Sequence, residues 1–182
     1  PNIVKVLDVF DENNTTYYVM QYIEGMNLNE YIQKKGRLNE TEALGMVKDM
    51  GKALSYMHRN RMLHLDIKPK NVMIEKDGKA ILIDFGLAKQ YTATGEPESS
   101  TSIGMGTPGY APIEQANYHQ DGTFPVTLDI YAFGATIYKM LTGQTPPHAS
   151  DLLENGFPEM MFRNLGVSEH MIGCVKKAMG PT

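Results

Sequence analysis

Only one of the 182 residues, Cys174, is a cysteine, so no internal disulfide can form, and a reducing, cytoplasmic setting is expected. No apolar stretch reaches the roughly 18 residues of a membrane span, and no signal-peptide pattern is present. No run of lysine and arginine is long enough to mark a nucleic-acid or anionic-membrane surface, and the net charge is −4. These absences argue against a disulfide scaffold, a membrane segment in this chain and a nucleic-acid partner. The remainder is ordinary: 42% hydrophobic and 21% charged residues, in a length that can bury one good core. The chain opens on Pro1 rather than methionine, which reads as a fragment or a processed chain.

The stretch that organises the chain runs from His64 to Gly86. His64-Leu65-Asp66-Ile67-Lys68-Pro69-Lys70-Asn71 is followed by Val72-Met73-Ile74, a turn at Glu75-Lys76-Asp77-Gly78, the run Lys79 to Ile83, and Asp84-Phe85-Gly86. Two short apolar runs with a turn between them predict a hairpin flanked by two loops. Such a hairpin lets Asp66, Lys68, Asn71 and Asp84 converge on one small volume. Carboxylate and carboxamide oxygens suit a hard cation, a second carboxylate can accept a proton, and an ammonium balances phosphate charge.

His-x-Asp-x-Lys-Pro-x-Asn followed by Asp-Phe-Gly resembles the catalytic and magnesium-binding loops of the protein kinase superfamily. Lys68, two residues after the aspartate, resembles the serine/threonine branch, and the Glu114-Gln115 pair resembles bacterial eukaryotic-like members. The resemblance implies an α+β, kinase-like fold, mainly helical with short β-hairpins. Residues 1–23 would end the small lobe, with two strands and the hinge, and residues 24–182 would form an incomplete large lobe. It further implies that Asp66 accepts the substrate proton, that Lys68 stabilises the transferring phosphoryl, and that Asn71 and Asp84 hold Mg2+. Thr107 would hydrogen-bond toward Asp66 and Lys68. ATP would be bound by the hinge around Gln21 and Ile23, with Met20 guarding the pocket behind, Asn27 facing the ribose and Met73 as the floor under adenine. His64 is mostly structural in the family, packing on Phe85 and bonding backbone.

In chain order, residues 1–10 read as a loop entering a strand that pairs antiparallel with a second strand over 16–22, and residues 27–35 as a short helix. Asn39 with Glu42 reads as a cap opening a long helix to about Asn60, with Leu44, Val47, Gly51, Leu54 and His58 along one face. Tyr91 to Ser102 reads as a polar, mobile loop, and Ser99, Ser100, Thr101 and Ser102 as ordinary members of it. Gly106-Thr107-Pro108-Gly109-Tyr110 resembles the substrate-docking loop. Pro125 to Leu141 is an apolar, core-type helix, and Asp129, by resemblance, holds the catalytic loop from below. Short helices are expected over 149–155 and 168–179.

Four departures from the family's pattern carry consequences. Leu65 stands where the family has an arginine that clamps a phosphorylated activation loop, so competence without phosphate at that clamp is implied. Pro112-Ile113-Glu114 replaces Ala-Pro-Glu. The arginine that would pair with Glu114 lies beyond this chain, so Glu114 is expected exposed, protonated or otherwise paired. No Gly-x-Gly-x-x-Gly loop and no Val-Ala-x-Lys strand precede the first strand, leaving half an ATP pocket and an exposed apolar edge suited to self-association. The expected function is transfer of the ATP γ-phosphoryl to serine or threonine hydroxyls of a protein substrate. The alternatives are a pseudokinase or truncated kinase acting as a protein-binding module, and a small-molecule kinase of related fold.

Overall fold

The architecture follows from one helix that is apolar nearly all round. In the computed structural model, which describes residues 2–85, 88–92, 106–116 and 125–180, this is α4, Val126–Thr142. Leu128, Ala132, Ala135, Met140 and Leu141 are among its buried residues, and burying a side chain of leucine or methionine size contributes roughly 1.5–3 kcal/mol. Other helices therefore surround it. A Cβ at Gly134 would lie 2.7 Å from Cβ of Ala178, which is how closely α7, Glu169–Ala178, approaches it. Helix α2, Glu40–Arg59, packs on another side.

The start of α2 is fixed by Asn39, whose side chain accepts the amide of Glu42 at 2.9 Å. Glu42 does not complete a capping box: its carboxylate is taken by the Tyr31 hydroxyl and the Lys35 ammonium, each at 2.6 Å. The full box forms one helix earlier, between Asn27 and Glu30 at the start of α1, Leu28–Lys35. The buried face of α2 also differs from the expected one. It consists of Ala43, Met46, Met50, Ala53, Leu54 and Met57, whereas Leu44 is 38% exposed and Val47 only half-buried. Unbranched methionines fill the irregular gap against α4 and the sheet, so the buried stripe runs beside the Leu/Val positions.

Three small sheets are found among the described residues. Strands β1, Val6–Glu12, and β2, Thr15–Met20, form an antiparallel pair in which every residue is exposed, Phe10 stacking on Tyr17. Strand β3, Gly25–Asn27, pairs with β5, Val72–Glu75, which pairs with β6, Ala80–Leu82. Gly25 is required there, because a Cβ would sit 2.0 Å from the Ile74 carbonyl oxygen. Strand β4, Met62–Leu63, pairs with β7, Lys89–Gln90. The described residues also form helices α3, Ile113–Ala116, α5, Ala149–Asn155, and α6, Glu159–Asn164.

The expected hairpin, long helix and core helix are thus present, with ends displaced by a residue or two, and the mix of helices with small sheets is α+β. Gly86 and the serines and threonine at 99–102 lie outside the described residues. No helix among the described residues is long and apolar enough to cross a membrane.

Candidate active site

The β5–β6 hairpin brings its flanking loops together. The Asn71 carbonyl, at the end of the 3-10 turn Pro69–Asn71 before β5, accepts the Ile83 amide at 2.9 Å, which sets Asn71 against the loop carrying Asp84. Asn71 also donates through Nδ2 to the Asp66 carbonyl at 2.8 Å and to Asp66 Oδ2 at 2.9 Å. With Nδ2 spent on Asp66, Oδ1 is the acceptor end of the Asn71 carboxamide.

Asp66 sits at the centre of a closed triangle. Lys68 Nζ lies 2.8 Å from its Oδ2, Thr107 donates to its Oδ1 at 2.9 Å, and Lys68 donates to Thr107 Oγ1 at 2.9 Å. Asp66, Lys68 and Thr107 are all half-buried, so these charge-assisted bonds are only partly screened.

The loop under Asp66 is held from beneath. Asp129, in the first turn of α4, has no solvent exposure. Its Oδ2 accepts the His64 amide at 2.9 Å and its Oδ1 accepts the Leu65 amide at 2.8 Å. The His64 ring accepts the Asp66 amide at Nδ1, 3.3 Å away, and faces the Ile83 carbonyl with Nε2 at 3.2 Å. That pair of contacts selects the neutral tautomer protonated at Nε2. Burial holds the His64 pKa below its ordinary 6.5 against the opposing charge of Asp129. The ring also lies 5.2 Å from that of Phe85, so the expectation of a structural histidine agrees with its contacts.

Two residues of the loops adopt left-handed backbone conformations without being glycine: Leu65 at φ 64° and Asp84 at φ 60°. Each such residue costs roughly 1–3 kcal/mol and persists only where its surroundings hold it. At Leu65 the hold is visible on both sides of the peptide, because Gln115 donates to its carbonyl at 3.3 Å while Asp129 takes its amide.

Asp84 and Asn71 supply oxygen donors suited to a hard divalent cation, which needs only one or two protein ligands when phosphate oxygens complete the shell. Among the described residues, no group of three or more His, Cys, Asp or Glu is gathered as a metal site would need. Of the residues expected around adenine, Ile23 is buried with Val4 and Ile81, and Met73 packs against that cluster with Ile83 and Phe85. Asn27 lies opposite Met73 across the β3–β5 pair. Gln21 donates its amide to the Lys5 carbonyl, Met20 ends the exposed hairpin, and neither is a member of the buried Ile23 cluster.

A cavity of about 360 Å3 opens away from these loops, between Ile113, Glu114, Tyr131, Leu152, Phe157 and Met179. Glu114 is half-buried there rather than exposed. Burial, with the negative charge of Glu114 second, pushes the Tyr131 hydroxyl up to about 12. Arg163, the arginine of the C-terminal helices, is occupied by Glu159 and Glu169.

Sequence reasoning missed two supports. Gln115 reaches Leu65 across 50 positions, and His58 meets Asp129 across 71, with Nε2 to Oδ2 at 2.9 Å. His58 was legible only as a helix-face residue, and no local pattern signals a partner that far along the chain.

The model of the protein kinase domain matches residues 1–170. Serine/threonine-protein kinase PrkC of Bacillus subtilis is 37% identical over 146 residues, covering 80% of this chain and 22% of that protein. Serine/threonine-protein kinase F of Synechocystis is 35% identical over 168 residues, 91% of this chain and 33% of that protein. Sperm motility kinase 2B of Mus musculus is 35% identical over 153 residues, 84% of this chain and 30% of that protein. The chain thus covers a third or less of the length of these relatives. With the loops, their spacing and the family model in agreement over most of its length, the chain belongs to the protein kinase family.

Proposed function

We propose that this chain is part of the catalytic domain of a serine/threonine protein kinase, which transfers the γ-phosphoryl of ATP to serine or threonine hydroxyls of a protein. Residues 1–23 form the end of its small lobe and the hinge, and residues 24–182 belong to its large lobe. The observation that carries the reading is the closed triangle of Asp66, Lys68 and Thr107, with Asn71 donating to the same aspartate.

In this reading Asp66 orients the acceptor hydroxyl and takes its proton, while Thr107 and Asn71 fix the carboxylate's angle. Lys68, bonded to Asp66 and Thr107, places its ammonium where it stabilises the transferring phosphoryl. Asn71 and Asp84 would hold magnesium, which would supply charge to neutralise phosphate oxygens. Ile23 and Met73 enclose the adenine, the backbone at Gln21 and Ile23 meets its edge, Met20 stands behind it, and the carboxamide of Asn27 faces the ribose. Transfer depends on positioning and charge stabilisation, both of which the loop contacts supply.

The exposed apolar hairpin of β1 and β2 favours a second reading, a binding module that engages a partner or another copy through that edge. Labelled ATP offered with serine, threonine and tyrosine peptides, and with aminoglycosides and choline, separates the classes. Label on serine and threonine peptides alone supports the proposal. Label on the small molecules alone, or retention of bound ATP with no transfer, overturns it.

A further inference from the structure

Leucine at position 65 cannot hold a phosphate, yet the segment after Asp84 still lies against the catalytic loop. Strand β7 pairs with β4, Leu63 opposite Lys89, and the next residue but one, Tyr91, donates its amide to the Arg61 carbonyl at 2.8 Å. The Tyr91 ring is 2% exposed and belongs to a separate small cluster with Leu63, Leu65 and Leu128, against which Val126 packs. Leu65, 4% exposed, is therefore gripped at its amide by Asp129, at its carbonyl by Gln115 and at its side chain by this cluster. Asp66 is the next residue. Apolar contact is non-directional and needs no charge, so what fixes this corner is present before any modification.

We propose that Tyr91 is a positioning residue: its ring, seated with Leu63, Leu65 and Leu128, pins the strand after Asp84 to the catalytic loop and holds Leu65 left-handed without a phosphate. This rests on the kinase reading for its effect on rate, but the pinning itself is a property of the fold. The cluster draws on β4, the catalytic loop, the end of β7 and the first turn of α4, so loss of one ring loosens four elements at once. The packing is made by the ring, which phenylalanine keeps.

The test uses the full-length protein, phosphatase-treated, as wild type, Tyr91→Phe and Tyr91→Ala, with kcat, KM for ATP and amide hydrogen exchange at Leu65 and Tyr91 read separately. Wild type and Tyr91→Phe keep kcat and slow exchange after phosphatase treatment. Tyr91→Ala loses roughly 10- to 100-fold in kcat, because misplacement by about an ångström is enough, while KM for ATP stays within about twofold. Its Leu65 and Tyr91 amides exchange faster. Should the alanine variant not fold, Tyr91→Leu replaces it, with a several-fold loss of kcat and faster exchange at Leu65.

Wild-type values in Tyr91→Ala or Tyr91→Leu overturn the proposal, as does a wild type whose Tyr91 amide opens once phosphate is removed. If no form transfers phosphate, the kinase reading fails, and the exchange data still decide the pinning. Protection lost with alanine and kept with phenylalanine upholds it; protection equal in all three overturns it.

Discussion

His58 and Asp129 meet at 2.9 Å between Nε2 and Oδ2, and the same carboxylate takes the amides of His64 and Leu65. One buried group thus ties the end of α2 and the first turn of α4 to the loop that carries Asp66. Replacing Asp129 by asparagine keeps the shape but puts an amide nitrogen where one acceptor stood. A buried donor left unpaired costs about 1–3 kcal/mol, and a displaced Asp66 costs on the order of 100-fold in kcat. Urea unfolding and turnover of the full-length protein read the two effects, and wild-type values for both would show that the carboxylate does not hold the loop.

Gly25 lets β3 lie against β5. A Cβ there would be 2.0 Å from the Ile74 carbonyl oxygen, and backbone cannot swing aside as a side chain can. Gly25→Ala is expected to lower stability by about 2–4 kcal/mol, with loss of the β3–β5 pairing. Chemical denaturation with exchange at the Gly25–Asn27 amides measures this, and an unchanged unfolding midpoint would contradict it.

The two faces of α2 make opposite predictions. Met50 has no exposure and sits in the main core, so Met50→Ala should cost about 2–5 kcal/mol. Leu44→Ala, on the exposed side, should stay within about 0.5 kcal/mol. Equal losses at both positions, measured by urea midpoint, would place the core against the wrong face.

His64 makes stability depend on pH with a definite sign. Its folded pKa lies below 6.5, so below 6.5 the unfolded chain binds a proton that the folded chain does not. Stability is therefore highest above about pH 6.5 and falls as pH drops below it, by at most about 1.4 kcal/mol per pH unit for this single proton. Glu40, held low by hydrogen bonds from Ser168, loses its contribution only as pH falls through a lower window, beginning near 4.5. Unfolding between about pH 5 and 7.5 should show the slope in wild type and a flatter one in His64→Gln. Identical slopes would mean that His64 is charged in the folded state.

Where local chemistry decides the structure, the sequence could be read directly. The turn Glu75-Lys76-Asp77-Gly78 with apolar runs on both sides forms a hairpin in any context that buries one face, and that hairpin sets the spacing of Asn71 and Asp84. Asn39 caps a helix because its side chain reaches Glu42's amide within one turn. The buried stripe of α2 was less legible because its methionines and alanines carry weaker individual signals than Leu44 and Val47 beside them. Strands β4 and β7 have two residues each, too few for any period, and they pair across the whole hairpin. The Leu65–Tyr91–Leu128 cluster has no local signature, since only the fold brings those positions together.

The most direct test of the central claim is phosphoryl transfer from labelled ATP with magnesium, by the full-length protein and its Asp66→Asn variant. The expected result is transfer to serine or threonine by the wild type, reduced by roughly three or more orders of magnitude in Asp66→Asn, with ATP binding retained. Transfer that survives in Asp66→Asn, or is absent from both proteins while ATP still binds, would contradict the assignment of these loops as a working phosphotransfer site.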